Sequence, residues 1–408
     1  MTVSSGSTFA ASIRDDFPIL RRRVQGRPAV YLDSAATTLK PLPVLDAERD
    51  YSLNYCANIH RGNHLFSEEA SEAYEDARRT VGHFIGAGAR QVVFVRNATE
   101  ALNMVASGLR ASGIRRVSIP TGEHHSNIVP WMRAAQIEWI DHDPREPLDI
   151  AALEAHLRRT EPDLLTFSHA SNVTGVINPV AEICALAGSL GVKTCVDASQ
   201  AIAHLPVDIS ALGCDYLAFS GHKMMGPTGI GVLAGRLDAL ERLEPLLWGG
   251  GAVREVTLTG YSLKDIPHRL EAGTPNISGA IGLGAAVGYL RGLMGERMTR
   301  HHEQLADRLE VVLSGIPGVR LLQAKTGPRL PLASLLVGGG LGPANLGSML
   351  SDCHGVMVRA GHHCAHPLFK GIGAEKGALR ASAYAYNEIA EIDYLGDCIL
   401  KLLRRFGG

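Results

Sequence analysis

The sequence predicts an α/β fold, with a mostly parallel central sheet and a smaller α+β unit beside it. Three observations carry the prediction. Across the first two-thirds of the 408 residues, short apolar runs alternate with helix-patterned stretches, the arrangement of strands joined by crossover helices. Hydrophobic residues make up 46% and charged residues 20%, which allows a large core without disulfide or metal staples and argues against disorder. After about residue 290 the texture changes to a polar helix, scattered strand signals and a closing helix.

The elements follow in order. Ser67 precedes an acidic turn, and Ala70, Ala73, Tyr74, Ala77, Val81, Phe84 and Ile85 recur at helical spacing. An amphipathic helix is expected to open at Ser67 and to end near Gly86. The run QVVFV at 91–95 reads as a buried strand, with Ala101, Leu102, Val105 and Leu109 on one face of the helix after it. Further strands are expected at 116–119, 137–140, 163–168, 192–196 and 216–219, with a helix over 179–190 opened by Pro179. A polar helix over 294–313 and a closing helix over 388–406 complete the pattern. The glycines at 282, 284 and 288 lack the strand and the spacing of a dinucleotide loop, so they read as helix packing. The segment GPTGIG at 226–231 reads as a turn entering a strand.

Composition removes several classes of function. Forty Lys and Arg against 41 Asp and Glu give a formal charge of −1, no footprint for nucleic acid or an anionic membrane. The first residues show no charged segment leading into an apolar one, so no signal peptide is expected. The longest uncharged run, 330–351, is broken by Gly and Pro and does not read as a membrane span. Seven cysteines without CxxC pairs suit free thiols in a reducing cytoplasm.

Four segments can carry chemistry. RNATE at 96–100 lies at a strand-to-helix turn, where unpaired N–H groups suit a phosphate; alternatively Thr99 only caps the helix. VDASQ at 196–200 ends an apolar strand with Asp197, at the sheet edge where α/β ligand sites lie. A buried carboxylate there needs a cation such as a protonated pyridine nitrogen, unless it caps the next helix. FSGHK at 219–223 sets Lys223 among small and apolar residues, which depresses an amine's pKa and suits a Schiff base; the alternative is a surface turn. RAGHHCAH at 359–366 flanks Cys364 with imidazoles that can hold a thiolate. Zinc on Cys353, His354 and Cys364 competes with that reading, but the spacing matches no familiar zinc motif.

In this order the segments closely resemble the cysteine desulfurases of the class V aminotransferase family, in particular the SufS-like (type II) group that includes selenocysteine lyases. The resemblance runs nearly end to end, through YLDSAAT (31–37), NIHRGNH (58–64), EHHSNIVPW (123–131), SNVTGVINP (171–179), VDASQ, SGHK, EAGTPN (271–276) and RAGHHCA. It implies a fold-type I, aspartate aminotransferase-like enzyme that uses pyridoxal 5′-phosphate (PLP). Residues 31–292 would form the large PLP-binding domain, and residues 1–30 with 293–408 a small domain carrying the cysteine loop.

Residue by residue, Lys223 matches the Schiff-base lysine and Asp197 the partner of the pyridinium nitrogen. Gln200 matches the contact to the ring's phenolic oxygen, and His124 the residue stacked on the ring and acting in catalysis. Thr99, Ser220 and His222 match phosphate-binding positions, with Thr274 reaching over from a second subunit. Ala98 departs from a family position that often carries a hydroxyl, leaving its backbone N–H for the phosphate. Asn172 and Arg380 match positions that bind the substrate carboxylate, and Arg359 and His60 also fall at substrate-binding positions. Cys364 matches the nucleophile that takes sulfur from L-cysteine as a persulfide and leaves L-alanine. The resemblance further implies a cytoplasmic homodimer, no metal and a SufE- or SufU-like sulfur acceptor. A selenocysteine lyase, or a C–S lyase of one thio-metabolite pathway, would use the same residues.

Overall fold

The computed structural model describes residues 8–338 and 340–406. Its central sheet has seven strands: β1 (Val92–Val95), β2 (Arg116–Pro120), β3 (Gln136–Ile140), β4 (Leu164–Ser168), β5 (Lys193–Asp197), β6 (Tyr216–Ser220) and β7 (Gly231–Gly235). They lie in the order β1-β7-β6-β5-β4-β2-β3. Strand β7 runs antiparallel to both neighbours, and the other pairs are parallel. The strands expected from apolar runs form within a residue or two of their expected bounds, and the 226–231 turn does lead into β7.

Alternate side chains of a strand enter opposite helical layers, as the pleat requires. Val92 and Phe94 share a core with helix α1 (Leu65–Phe84), whereas Val93 and Val95 share one with α2 (Ala98–Ala111). Helix α3 (Ile277–Leu293) holds the 282–288 glycines. A Cβ at Gly284 would come within 3.0 Å of Ala77 Cβ on α1, so this glycine sets a close helix contact. Helix α1 starts two residues before the expected Ser67. His64 is its cap, accepting from Ser67 N at 3.4 Å, while Ser67 Oγ donates to Asn58 O at 2.7 Å.

A second, antiparallel sheet follows in the order β8 (Val319–Leu322), β9 (Leu332–Val337), β11 (Ala378–Ser382), β10 (Arg359–Gly361). Helices α4 (Glu296–Ser314), α5 (Pro343–His354) and α7 (Ile389–Phe406) pack on it, and the short α6 (His366–Gly371) follows Cys364. Leu305, Leu309, Leu335, Leu379 and Ile399 form its core, which Val30 and Leu32 join. Ile13, Phe17 and Leu20 instead join the core of the first layer, where Phe17 meets Tyr386 at a ring distance of 4.9 Å. Among the described residues no single helix is long and apolar enough to cross a membrane. Helices α3 and α4 pass that test only together, across an 86° bend.

One buried ion pair fastens α1 to the segment that carries Thr274. Arg78 is 1% exposed. It donates to Glu271 at 2.6 and 2.9 Å, to Glu75 at 2.9 Å and to Val92 O at 2.8 Å. Glu271 in turn accepts from Phe94 N at 2.6 Å. Removing one member of a buried pair strands the other charge in a dry site. Arg78→Met is therefore expected to lower stability by about 3–5 kcal/mol, read as a drop in the urea midpoint. A loss below about 1 kcal/mol, the range of an exposed pair, would contradict this account.

Candidate active site

The carboxyl ends of β4, β5 and β6 and the turn from β1 into α2 open onto one cavity of about 340 Å³. Ligand sites of open parallel sheets form at such an edge. Every candidate site residue from the sequence lines this cavity except His60 and Thr274, which line a separate cleft of about 220 Å³.

Lys223 ends a single 3₁₀ turn after β6. Burial holds its pKa below the ordinary lysine value; Arg380 pushes the same way, while Asp197 and Cys364 oppose. Protein surrounds the amine, yet part of the side chain opens on the cavity. A desolvated amine that remains reachable is suited to nucleophilic attack. Asp197 closes β5 and is 7% exposed; Ser199 N donates to its Oδ1 at 2.9 Å, which leaves Oδ2 for a cation. His124 accepts from Ser126 N at 3.1 Å, and burial, reinforced by Lys223, lowers its pKa to about 4. Its ring is therefore neutral at pH 7. Gln200 Nε2 donates to Ala35 O at 2.9 Å.

At the other end of the cavity the helix cap is Asn97, whose Oδ1 accepts from Glu100 N at 3.0 Å. The alternative in which Thr99 caps α2 is corrected accordingly: Thr99 is the second residue of the helix, with its hydroxyl 2.7 Å from Ser126 Oγ. The Ala98 N–H is not left open as expected, since it donates to Ser220 Oγ at 2.9 Å. Burial lowers the pKa of His222 to about 4, with Lys223 and Lys40 adding to the effect.

The second sheet brings in two arginines. Arg380, 2% exposed, donates from Nη1 to Asn172 O at 2.8 Å, and its Nε has no partner among the described residues. Burial lowers its pKa to about 10, so it stays charged at neutral pH. Arg359 grips Asp33 with Nε at 3.1 Å and Nη2 at 2.8 Å, and Arg380 Nη2 stands 3.5 Å from the same carboxylate. Cys364 is exposed on the strap between β10 and α6. His363 and Cys364 both have positive φ, 47° and 57°, a conformation that costs an ordinary residue roughly 1–2 kcal/mol. Asn172 Nδ2 donates to His363 O at 2.9 Å.

The expected role of the flanking imidazoles needs correction. Burial drives the pKa of His363 down to about 3, and His362 Nε2 faces Glu375 O at 2.8 Å with its ring on His366. Positive charge acts on Cys364 from Lys223, Arg359 and Arg380 instead. Among the described residues, Cys353, His354 and Cys364 do not gather as a set of ligands. All seven cysteines are free.

Two cavity supports escaped the sequence reading. Asp33 lies within a recognised motif, but nothing local marks it as the anchor of two arginines more than 300 residues away. Glu123, buried beside His124, accepts from Asn127 Nδ2 at 2.7 Å and Ser168 N at 2.8 Å. Burial raises its pKa to about 7, against those hydrogen bonds. It opens the recognised EHHSNIVPW motif, but nothing in that segment marks it as a buried acceptor.

With a half-buried lysine and a buried aspartate at the strand ends, the chain belongs to the class V aminotransferase family, whose profile matches residues 30–395. Proteins similar to the chain include several named as cysteine desulfurases. The chain is 41% identical to the cysteine desulfurase of Dickeya dadantii, with 97% of each chain covered. It is 40% identical to the probable cysteine desulfurase of Streptomyces coelicolor, covering all of both chains. The apo structure of cysteine desulfurase from Thermococcus onnurineus NA1 has a TM-score of 0.90 at 37% identity, with 97% of this chain and 98% of that chain covered.

Proposed function

We propose that the protein is a PLP-dependent cysteine desulfurase, which converts L-cysteine to L-alanine and carries the sulfur as a persulfide on Cys364. One observation carries the reading: an enclosed lysine, a half-satisfied aspartate, a buried arginine and an exposed cysteine line a single cavity. The donor set fits the cofactor. Asp197 Oδ2 suits a pyridinium N–H, and the neutral His124 ring suits an aromatic face. Thr99, Ser220 and His222, beside the N-terminus of α2, suit a phosphate. When bound, PLP supplies the electron sink for negative charge at the substrate Cα.

The chain's residues supply the rest. Arg380, held by Asn172 and Asp33, retains an unused N–H for the substrate carboxylate and fixes the amino acid's orientation. Lys223, its pKa lowered by burial, can take the Cα proton and return a proton. The thiolate of Cys364 attacks the substrate sulfur. The new S–S bond forms as the Cβ–S bond breaks, and a proton added at Cβ completes alanine. Sulfur then passes from Cys364 to an acceptor thiol, for which a SufE- or SufU-like protein is the proposed carrier. The free cysteines favour a cytoplasmic setting. We assign residues 31–292 to the cofactor domain and residues 1–30 with 293–408 to the small one, with Ile13, Phe17 and Leu20 of the first segment packing into the cofactor domain's core.

We also propose that the working unit is a homodimer. His60 and Thr274 share a cleft apart from the cavity, which suits residues that serve a partner's site. The neighbouring segment exposes Trp248 at 52% and Tyr261 at 60%, apolar surface of the kind that interfaces cover. If Thr274 donates to the partner's phosphate, its loss removes a charge-assisted hydrogen bond of roughly 1.5–3 kcal/mol and weakens PLP retention about tenfold or more. Mixing Thr274→Ala chains with Lys223→Ala chains tests the sharing. A mixed dimer has one site with both lesions and one with neither, so activity should rise above that of either parent. No gain after verified subunit exchange, or a fully active monomer in sedimentation, contradicts the proposal.

A further inference from the structure

The strap that carries Cys364 is gripped by a histidine to which the desulfurase reading assigns no task. His125 meets it twice. Its backbone N–H donates to Cys364 O at 2.7 Å. Its ring Nε2 lies 3.1 Å from His366 N and 2.9 Å from His366 Nδ1. A main-chain N–H can only donate, so Nε2 must keep its lone pair, and His125 is neutral with its proton on Nδ1. The His366 N–H opens α6, and helix geometry gives a first-turn donor no partner of its own. The two contacts of His125 thus bracket Ala365, directly after the two positive-φ residues His363 and Cys364. Such a backbone persists only where its surroundings impose it. Asn172 holds one side through His363 O, and His125 holds the other.

We infer that neutral His125 is a positioning residue, a clamp that keeps the Cys364 thiol at the cavity and releases it when the imidazole is protonated. The inference rests on the desulfurase reading, because it concerns that reaction's nucleophile. Burial first, and then the neighbouring His366 and His362, lower the pKa of His125. His124, at a ring distance of 6.3 Å, is itself held neutral. The clamp is therefore closed at neutral pH. In acid, a protonated Nε2 can accept neither His366 donor, so both contacts to the start of α6 are lost.

The test compares the full-length holoenzyme with His125→Gln and His125→Ala. Glutamine offers a carbonyl acceptor that does not titrate. At pH 8, His125→Gln should release alanine within about threefold of the wild type. His125→Ala should lose roughly tenfold in kcat with KM within about twofold, the loss of about one hydrogen bond. As the pH falls below the ordinary imidazole value of about 6.5, the wild type should decline relative to His125→Gln. Titrations common to both proteins cancel in that ratio. Hydrogen exchange at the His366 amide gives a readout that needs no turnover: it should speed up in His125→Ala and not in His125→Gln. If the wild type makes no alanine, the desulfurase reading fails while the exchange data still decide the clamp. Equal His366 exchange in all three proteins, a flat ratio across pH, or a glutamine variant as impaired as the alanine one, would overturn the inference.

Discussion

Lys223→Ala is expected to yield a folded protein that releases no alanine from cysteine above about 10⁻³ of the wild-type rate, the scale on which a positioned proton-transfer group contributes. It should also lose the borohydride-reducible link between chain and PLP. The structure separates this loss from misfolding. Among the described residues the Lys223 amine has no hydrogen-bond partner, and the shift of its pKa comes first from burial. Replacing it therefore strands no partner and removes the cost of enclosing a charge. Its unfolding midpoint should match the wild type's or exceed it. Alanine release at wild-type rate, measured by amino-acid analysis, would end the assignment. A collapse in stability would instead show that the amine holds the cavity together.

Cys364→Ala should keep the yellow cofactor and bind cysteine, yet form alanine on the order of 10²-fold more slowly or worse, because the group that accepts sulfur is gone. Stability should change by less than about 0.5 kcal/mol, as is usual for an exposed side chain. Activity on selenocysteine should survive better, since selenium leaves Cβ with less help. Two other cysteines, Cys56 and Cys353, are also exposed, so mass spectrometry of the wild type after cysteine treatment discriminates among them. A one-sulfur increment is expected on Cys364. An increment confined to Cys56 or Cys353 would move the nucleophile elsewhere.

The sequence by itself determined the strands and the chemistry at their ends. Asp197 closes one apolar run and Lys223 lies one short turn past the end of another, so the strands that bury the runs also deliver both residues to the sheet edge. Local periodicity carries that information, because burial along a strand or helix repeats over a few residues. Tertiary structure alone decided who meets whom. Asp33 anchors Arg359 and Arg380 from the far end of the chain, Arg78 finds Glu271 across the first layer, and His125 closes on His366. Spacing gives no hint of these pairs, since each forms only when two sheets and their helices are packed. The same limit explains the imidazoles beside Cys364. Adjacency in sequence suggested cations for the thiol, but burial neutralised His363, and the charge came from Lys223, Arg359 and Arg380. Solvation decides which groups keep their charge, and solvation is a property of the folded cavity rather than of the neighbouring residues in the chain.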